Sequence, residues 1–152
     1  MEHKTSADLQ EIADVTHPQS LSRDERLERW AVALETCGRS RLRTLSETEH
    51  KPASERALMR ADNSVISVAF EDPILRLAGV RDDTYGEARR FFELSDYQIH
   101  ELLCDCHYGS SVAAQHAAWS VRKAKSQKSL DVVLSSIAIG AVGLTGLAAL
   151  LL

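Results

Sequence analysis

Apolar residues recur at helical spacing through much of the stretch between residues 21 and 128. The clearest case begins at Ser22, which together with Glu25 has the spacing of a capping box. Gly38 follows about four helical turns later, as glycine often does at a helix end. Between these signals the apolar positions repeat every three or four residues: Leu27, Trp30, Ala31 and Leu34. The pattern predicts an amphipathic helix over residues 21–38.

Further short helices are predicted along the rest of this region. Asp72 before a proline is a favourable helix start. Thr84 and Ser95 are each followed, three residues later, by Glu or Gln, which repeats the capping-box spacing. The predicted helices are residues 54–60, 73–78, 85–93, 96–107 and 112–125.

Residues 65–70 (VISVAF) are the one place where β-branched residues cluster, which locally favours a strand. No second strand signal follows with which it would pair. Unless a partner chain completes a sheet, we therefore expect an extended or partly helical core segment. The predicted fold class is all-α, a small bundle of short helices followed by a single C-terminal transmembrane helix.

The C-terminal segment predicts a membrane anchor. Residues 132–152 contain no charged side chain, and a helix of that length would reach about 30 Å, the hydrocarbon thickness of a bilayer. We expect a tail anchor at residues 130–152 and, since residues 1–20 are polar and carry no secretory leader, a domain at 21–128 that faces the cytoplasm. The basic side chains expected to flank the membrane are Arg122, Lys123, Lys125 and Lys128. Residues 1–20 form a polar segment for which the sequence leaves two alternatives, disorder or a short helix that includes Leu9, Ile12 and Ala13 and ends before Pro18.

Small residues follow one face of the predicted tail helix. Ser136, Gly140 and Gly143 are spaced so that another helix could approach closely along them. This stripe is compatible with a homodimer through the tail or with attachment to a membrane complex as a small subunit. A lone anchor with incidental glycines is the simpler interpretation.

Net charge and cysteine count argue against a nucleic-acid partner and against disulfide bonds. The 152 residues carry a formal net charge of −4, which offers no general attraction for nucleic acid. Arg39, Arg41 and Arg43 form a local basic run that we interpret as a solvated connector. Three cysteines, an odd number, in a chain that begins in a reducing compartment predict free thiols rather than disulfides.

Histidine and cysteine side chains, which can bind metals or act as nucleophiles, are concentrated in residues 99–109 (IHELLCDCHYG). On a continuous helix at about 100° per residue, His100, Cys104 and His107 fall on one polar stripe, whereas Cys106 joins the apolar face. Such a stripe could hold zinc or iron, although the spacing is not that of a structural zinc site. The alternatives are a histidine favoured by the helix dipole, a small buried cysteine, or a nucleophilic thiol.

The sequence carries no phosphate-binding glycine loop, no Gly-x-Ser-x-Gly elbow and no His-Glu-x-x-His pair. We therefore expect a non-enzymatic, tail-anchored membrane protein, without a required cofactor, whose helical domain binds an unknown protein partner beside the lipid bilayer. The alternatives are a membrane-tethered metal or thiol sensor built on the polar stripe, and an accessory subunit of a membrane complex.

Overall fold

The computed structural model of the protein describes residues 21–127. Helices form most of this part of the chain and are joined by short turns. The elements, in chain order, are α1 (Arg23–Thr36), β1 (Arg41–Arg43), a 3₁₀ helix (Thr48–His50), α2 (Ala53–Leu58), α3 (Val65–Glu71), α4 (Pro73–Leu77), α5 (Tyr85–Phe91), α6 (Asp96–Leu103), α7 (Asp105–Tyr108) and β2 (Ser111–Ala113). A last helix, α8, covers residues 114–127.

Helix α1 lies where the sequence predicts it. The Ser22 hydroxyl accepts a hydrogen bond from the backbone N–H of Glu25, and the Glu25 side chain accepts one from the backbone N–H of Ser22, which completes the capping box. After the helix, Gly38 adopts a φ of +71°, a left-handed conformation that glycine reaches without a Cβ penalty. The apolar stripe of α1 is buried at Leu27, Trp30, Ala31, Ala33 and Leu34.

Residues 65–70 belong to helix α3, so the helical alternative for this segment is confirmed. Ser64 caps the helix by accepting a hydrogen bond from the backbone N–H of Ser67 at 3.2 Å. Residues 65–69 are all buried. A segment buried in this way needs partners for its backbone groups, and a helix supplies them internally where a lone strand would not.

An aromatic cluster ties α1, α3 and α5 together. The Trp30 ring stacks on Phe92 with centroids 4.2 Å apart, and Phe91 meets Phe92 edge to face at 4.9 Å. The indole Nε1 of Trp30 donates a hydrogen bond to the carbonyl of Val65 at 3.0 Å. Burying a tryptophan with its one donor satisfied makes this the centre of the core.

The predicted starts of the middle helices are confirmed. Asp72 Oδ1 accepts hydrogen bonds from the backbone N–H groups of Ile74 and Leu75 at the start of α4, each at 3.0 Å. Thr84 caps α5, and Ser95 caps α6 through a complete capping box. Helix starts are thus set by side chains that bond to the adjacent backbone.

The domain is not all-α, and that part of the predicted fold class is wrong. Strand β1 pairs antiparallel with β2, with Leu42 opposite Val112, both of them buried. The basic run interpreted as a connector is therefore partly a strand, and the helix predicted at residues 112–125 begins only at 114. Each strand has three residues, too few for an alternating pattern to be visible in the sequence.

The predicted single transmembrane helix is likewise not present in the part of the chain that the structure describes. Within residues 21–127, no helix is long and apolar enough to cross a membrane. The segments predicted as a polar N-terminus (1–20) and as a membrane anchor (130–152) lie outside the described residues, as do the following single positions: Lys128, Ser136, Gly140 and Gly143. The described chain is a mostly helical domain with one small sheet.

Candidate functional site

The backbone conformation at Cys104 decides which histidine and cysteine side chains come together in this domain. Helix α6 ends at Leu103, and Cys104 is extended, with φ −93° and ψ 147°. The N–H of Leu45 donates to the carbonyl of Leu103 at 2.7 Å, and the N–H of Asp105 donates to the carbonyl of Leu45 at 2.9 Å. These two hydrogen bonds fix a bridge between distant parts of the chain and interrupt the helix.

The interruption brings residues from two helices together. Cys106 and His107 lie on α7, whereas His100 lies on α6. The Cys106 sulfur is 3.7 Å from Nδ1 of His100, and the imidazole rings of His100 and His107 meet edge to face with centroids 5.6 Å apart. One candidate ligand atom from each of these residues lies within 4.8 Å of the other two. We call these three residues the imidazole–thiol cluster.

The cluster corrects the arrangement predicted from the sequence. Of the predicted residues His100, Cys104 and His107, the structure brings the two histidines together but not Cys104, whose side chain is fully buried. Cys106, predicted to join the core, is exposed and takes its place. The 100° spacing holds only on a continuous helix, and the helix breaks at Cys104. Because the break depends on Leu45, no local signal in the sequence marks it.

The hydroxyl of Thr48 is a polar neighbour of the His100 imidazole. The buried Thr48 hydroxyl lies 3.4 Å from Nε2 of His100. Burial of the Cys104 thiol raises its pKa to about 11. The same Thr48 hydroxyl is also a hydrogen-bond partner of this thiol and lowers its pKa, but by less than burial raises it. Cys104 is therefore a protonated, inaccessible thiol at neutral pH and is unsuited to thiol chemistry.

Negative charge surrounds the exposed thiol. Partial burial of the sulfur, together with the neighbouring Glu49 and Asp105 carboxylates, raises the pKa of Cys106 to about 11. The thiol is then protonated at neutral pH, which makes it a slow nucleophile. This environment disfavours a nucleophilic or redox-active role for the Cys106 thiol and favours the binding of a cation at its sulfur.

Aromatic rings continue from the cluster onto helix α8. Tyr108 packs against His116 with ring centroids 5.3 Å apart, and His116 lies 5.6 Å from Trp119. Trp119 is 58 % exposed, and Tyr97, on α6, is 69 % exposed. We call Tyr97, Glu101, His116, Trp119 and Lys123 the Trp119 patch.

Lys123 joins the two sides of the Trp119 patch. Its Nζ lies 5.8 Å from the centroid of the Trp119 ring, and it forms an ion pair with Glu101 of α6 at 2.9 Å. Tyr97 is close enough to Lys123 to contribute to raising the pKa of its amine, although the hydrogen bond that Lys123 donates to Glu101 contributes most. The patch is thus one continuous surface across α6 and α8.

Two more of the basic side chains predicted to flank a membrane, Arg122 and Lys125, form ion pairs within the domain. Arg122 bonds both Glu28 and Glu35 of α1, at 3.0 Å to the first, and Lys125 lies 3.7 Å from Glu28. The hydrogen bonds that Arg122 donates to the Glu35 and Glu28 carboxylates raise its pKa above its already high ordinary value. These pairs fasten α8 to α1, a structural role that the sequence did not indicate.

No protein-family model, curated protein or solved structure matches the chain. Its function therefore has to be inferred from the geometry of its own residues.

Proposed function

We propose that the domain formed by residues 21–127 is a non-enzymatic interaction domain that binds a protein partner through the Trp119 patch. The observation that carries this proposal is an exposed tryptophan on a helix that is itself held rigidly. Tryptophan and tyrosine are enriched among the residues that contribute most to protein–protein affinity. Both occur in this patch, and more than half of each side chain is accessible.

The helix that carries Trp119 is fixed on its other face. Ala117, Ala118, Val121 and Ala124 of α8 are all buried in the core. Ion pairs from Arg122 to α1 and from Lys123 to α6 hold the helix on two further sides. Trp119 is therefore presented in a defined position before a partner arrives, which reduces the entropy lost on binding.

The charges around the ring indicate the chemistry of the partner. Lys123 and Glu101 neutralise each other at the edge of the patch. The centre that remains to be covered is aromatic, with Trp119 and Tyr97 as its largest exposed groups. An apolar centre with a polar rim is the usual organisation of an interface. The partner is accordingly a protein surface that places apolar side chains over Trp119.

Site-specific photo-cross-linking in cells tests the proposal on the full-length chain. A photoreactive phenylalanine derivative is placed at Trp119 or, separately, at Tyr97. Leu58 and Leu77 are matched control positions, because both are exposed apolar residues, 76 % accessible, on other helices. We expect one adduct of the same mass from positions 119 and 97 and none of that mass from the controls.

A second variant separates specific contact from proximity. With the photoreactive residue at Tyr97, the additional substitution Trp119→Ala should reduce the yield of that adduct about tenfold or more, as loss of a dominant contact residue does. Equal adducts from all four positions, no adduct from either patch position, or a yield unaffected by Trp119→Ala would refute the proposal.

A further inference from the structure

The imidazole–thiol cluster lies beside the Trp119 patch but contains chemistry that an interaction surface does not require. We propose that His100, Cys106 and His107 bind a zinc ion, with His100 coordinating through Nδ1. This inference does not depend on the interaction function. It differs from the site predicted from the sequence in its thiol, which is Cys106 and not Cys104.

The positions of the ligand atoms fit a tetrahedral ion. With Zn–N bonds of about 2.0–2.1 Å and a Zn–S bond of about 2.3 Å, ligand atoms in a tetrahedral site lie about 3.4–3.6 Å apart. The Cys106 sulfur is already 3.7 Å from Nδ1 of His100, and no pair among the three candidate atoms exceeds 4.8 Å. Side-chain movements of about 1 Å, together with a rotation of the His100 ring that turns Nδ1 toward the ion, would close the site. Cys106 and His107 are exposed, so such movements meet little resistance.

A polar contact of His100 leaves one of its two nitrogens available for this role. Its Nε2 lies 3.4 Å from the buried Thr48 hydroxyl, and the Cys106 sulfur lies 3.7 Å from Nδ1 and 4.0 Å from Nε2. Placing the imidazole proton on Nε2, where it can bond to the hydroxyl, leaves Nδ1 unprotonated and available to bind a metal ion. Metal-binding histidines usually have their second nitrogen bonded in this way, which fixes the tautomer and the ring plane.

The two imidazoles and the thiol of this cluster limit which metal ions it can bind. Two imidazoles and one thiolate suit zinc and related transition metals, whereas magnesium and calcium take oxygen ligands. The Glu49 and Asp105 carboxylates next to Cys106 add negative charge that attracts a cation. Three protein ligands leave the fourth position of the ion for water or for a group from outside the domain.

Zinc binding to the full-length chain, purified without a histidine tag, tests the inference. Competition with a chromophoric chelator measures the affinity for zinc, and the cobalt-substituted protein reports thiolate coordination through its charge-transfer absorption. We expect about one zinc per chain. Cys106→Ser and His107→Ala should each weaken binding about tenfold or more, since each removes a direct ligand. Circular dichroism should show unchanged helicity, because both side chains are exposed.

Matched controls use the same residue types outside the cluster. His116→Ala removes an exposed imidazole from the neighbouring patch, and Cys37→Ser removes a half-buried thiol elsewhere. Both should bind zinc as tightly as the unaltered chain, and Cys104→Ser should keep the cobalt–thiolate absorption. Absence of zinc binding, equal affinity in Cys106→Ser and His116→Ala, or loss of the absorption in Cys104→Ser but not in Cys106→Ser would overturn the inference.

Discussion

Asp72 performs two structural tasks with one carboxylate. Its Oδ1 accepts hydrogen bonds from the backbone N–H groups of Ile74 and Leu75 and so caps α4. Its Oδ2 accepts a hydrogen bond from Nη2 of Arg29 at 2.6 Å, and Nε of Arg29 lies 3.0–3.1 Å from both oxygens. The Asp72 side chain is 6 % exposed and that of Arg29 is 34 % exposed. Removing this carboxylate should therefore loosen α4 from α1.

The expected loss of stability follows from these contacts. Loss of a helix cap costs about 1 kcal/mol. Loss of a hydrogen-bonded charge pair costs about 1.5–3 kcal/mol, and the lower value applies because Arg29 is partly exposed and can be hydrated once its partner is gone. Asp72→Ala should thus cost about 2.5 kcal/mol and, for a domain of about 100 residues, lower the Tm by about 10 °C. Asp72→Asn keeps a capping oxygen and should cost about 1.5 kcal/mol.

The effect should depend on pH in a defined direction. Burial raises the pKa of Asp72, but hydrogen bonds from Arg29 and from the Leu75 and Ile74 backbone outweigh it, so the pKa lies below its ordinary value of 3.8. A carboxyl group with a lowered pKa in the folded state stabilises the fold fully above its unfolded-state pKa. This contribution is lost as the pH falls through the folded-state pKa. The difference between the unaltered chain and Asp72→Asn should therefore be constant near neutral pH and shrink below about pH 4.

Chemical and thermal unfolding of the full-length chain, followed by circular dichroism, measures these differences. The exposed Asp62 is a matched control, and Asp62→Ala should change the free energy of unfolding by less than about 0.5 kcal/mol. If Asp72→Ala behaves like Asp62→Ala, or if the Asp72→Asn difference persists unchanged in acid, the reasoning about this carboxylate is refuted.

Two further predictions concern the packing of the core. Gly86→Ala should destabilise the protein by about 1–3 kcal/mol, because the new Cβ would lie 2.9 Å from the backbone oxygen of Ala57; an unchanged Tm would contradict this close approach of α2 and α5. Trp30→Phe should cost about 2–3 kcal/mol, since the indole hydrogen bond to the carbonyl of Val65 is lost and the smaller phenyl ring leaves part of the buried space unfilled. The fluorescence of that variant should come from the exposed Trp119 alone and be readily quenched by acrylamide; a shielded emission would contradict the exposure of this ring.

Helix starts could be predicted from the sequence because a cap is a local interaction. Ser22, Asp72, Thr84 and Ser95 each bond to a backbone N–H two or three residues away. The residues that form such a cap are therefore adjacent in the sequence. The predicted core stripe of α1 follows for the same reason, since its spacing is a property of the helix itself.

The small sheet and the break at Cys104 could not be predicted in this way. Leu42 and Val112 pair across a separation of 70 residues (112 − 42), and each strand holds a single buried position. The bridge between Leu45 and Cys104 likewise joins remote segments. Nothing in the neighbouring residues marks where such contacts form, because their partners are brought close only when the chain folds.

The imidazole–thiol cluster could likewise be predicted only in part from the sequence. The sequence by itself determined that two histidines and two cysteines occur within eight positions, and that His100 and His107 could lie on one side of the chain. Only the tertiary structure decided which thiol joins them. The hydrogen bonds to Leu45 turn the backbone at Cys104, so that this side chain enters the core and Cys106 emerges beside His100. Residue types and local spacing can be read from the sequence. The direction of a side chain after a helix is interrupted depends on contacts between segments that are distant in the sequence.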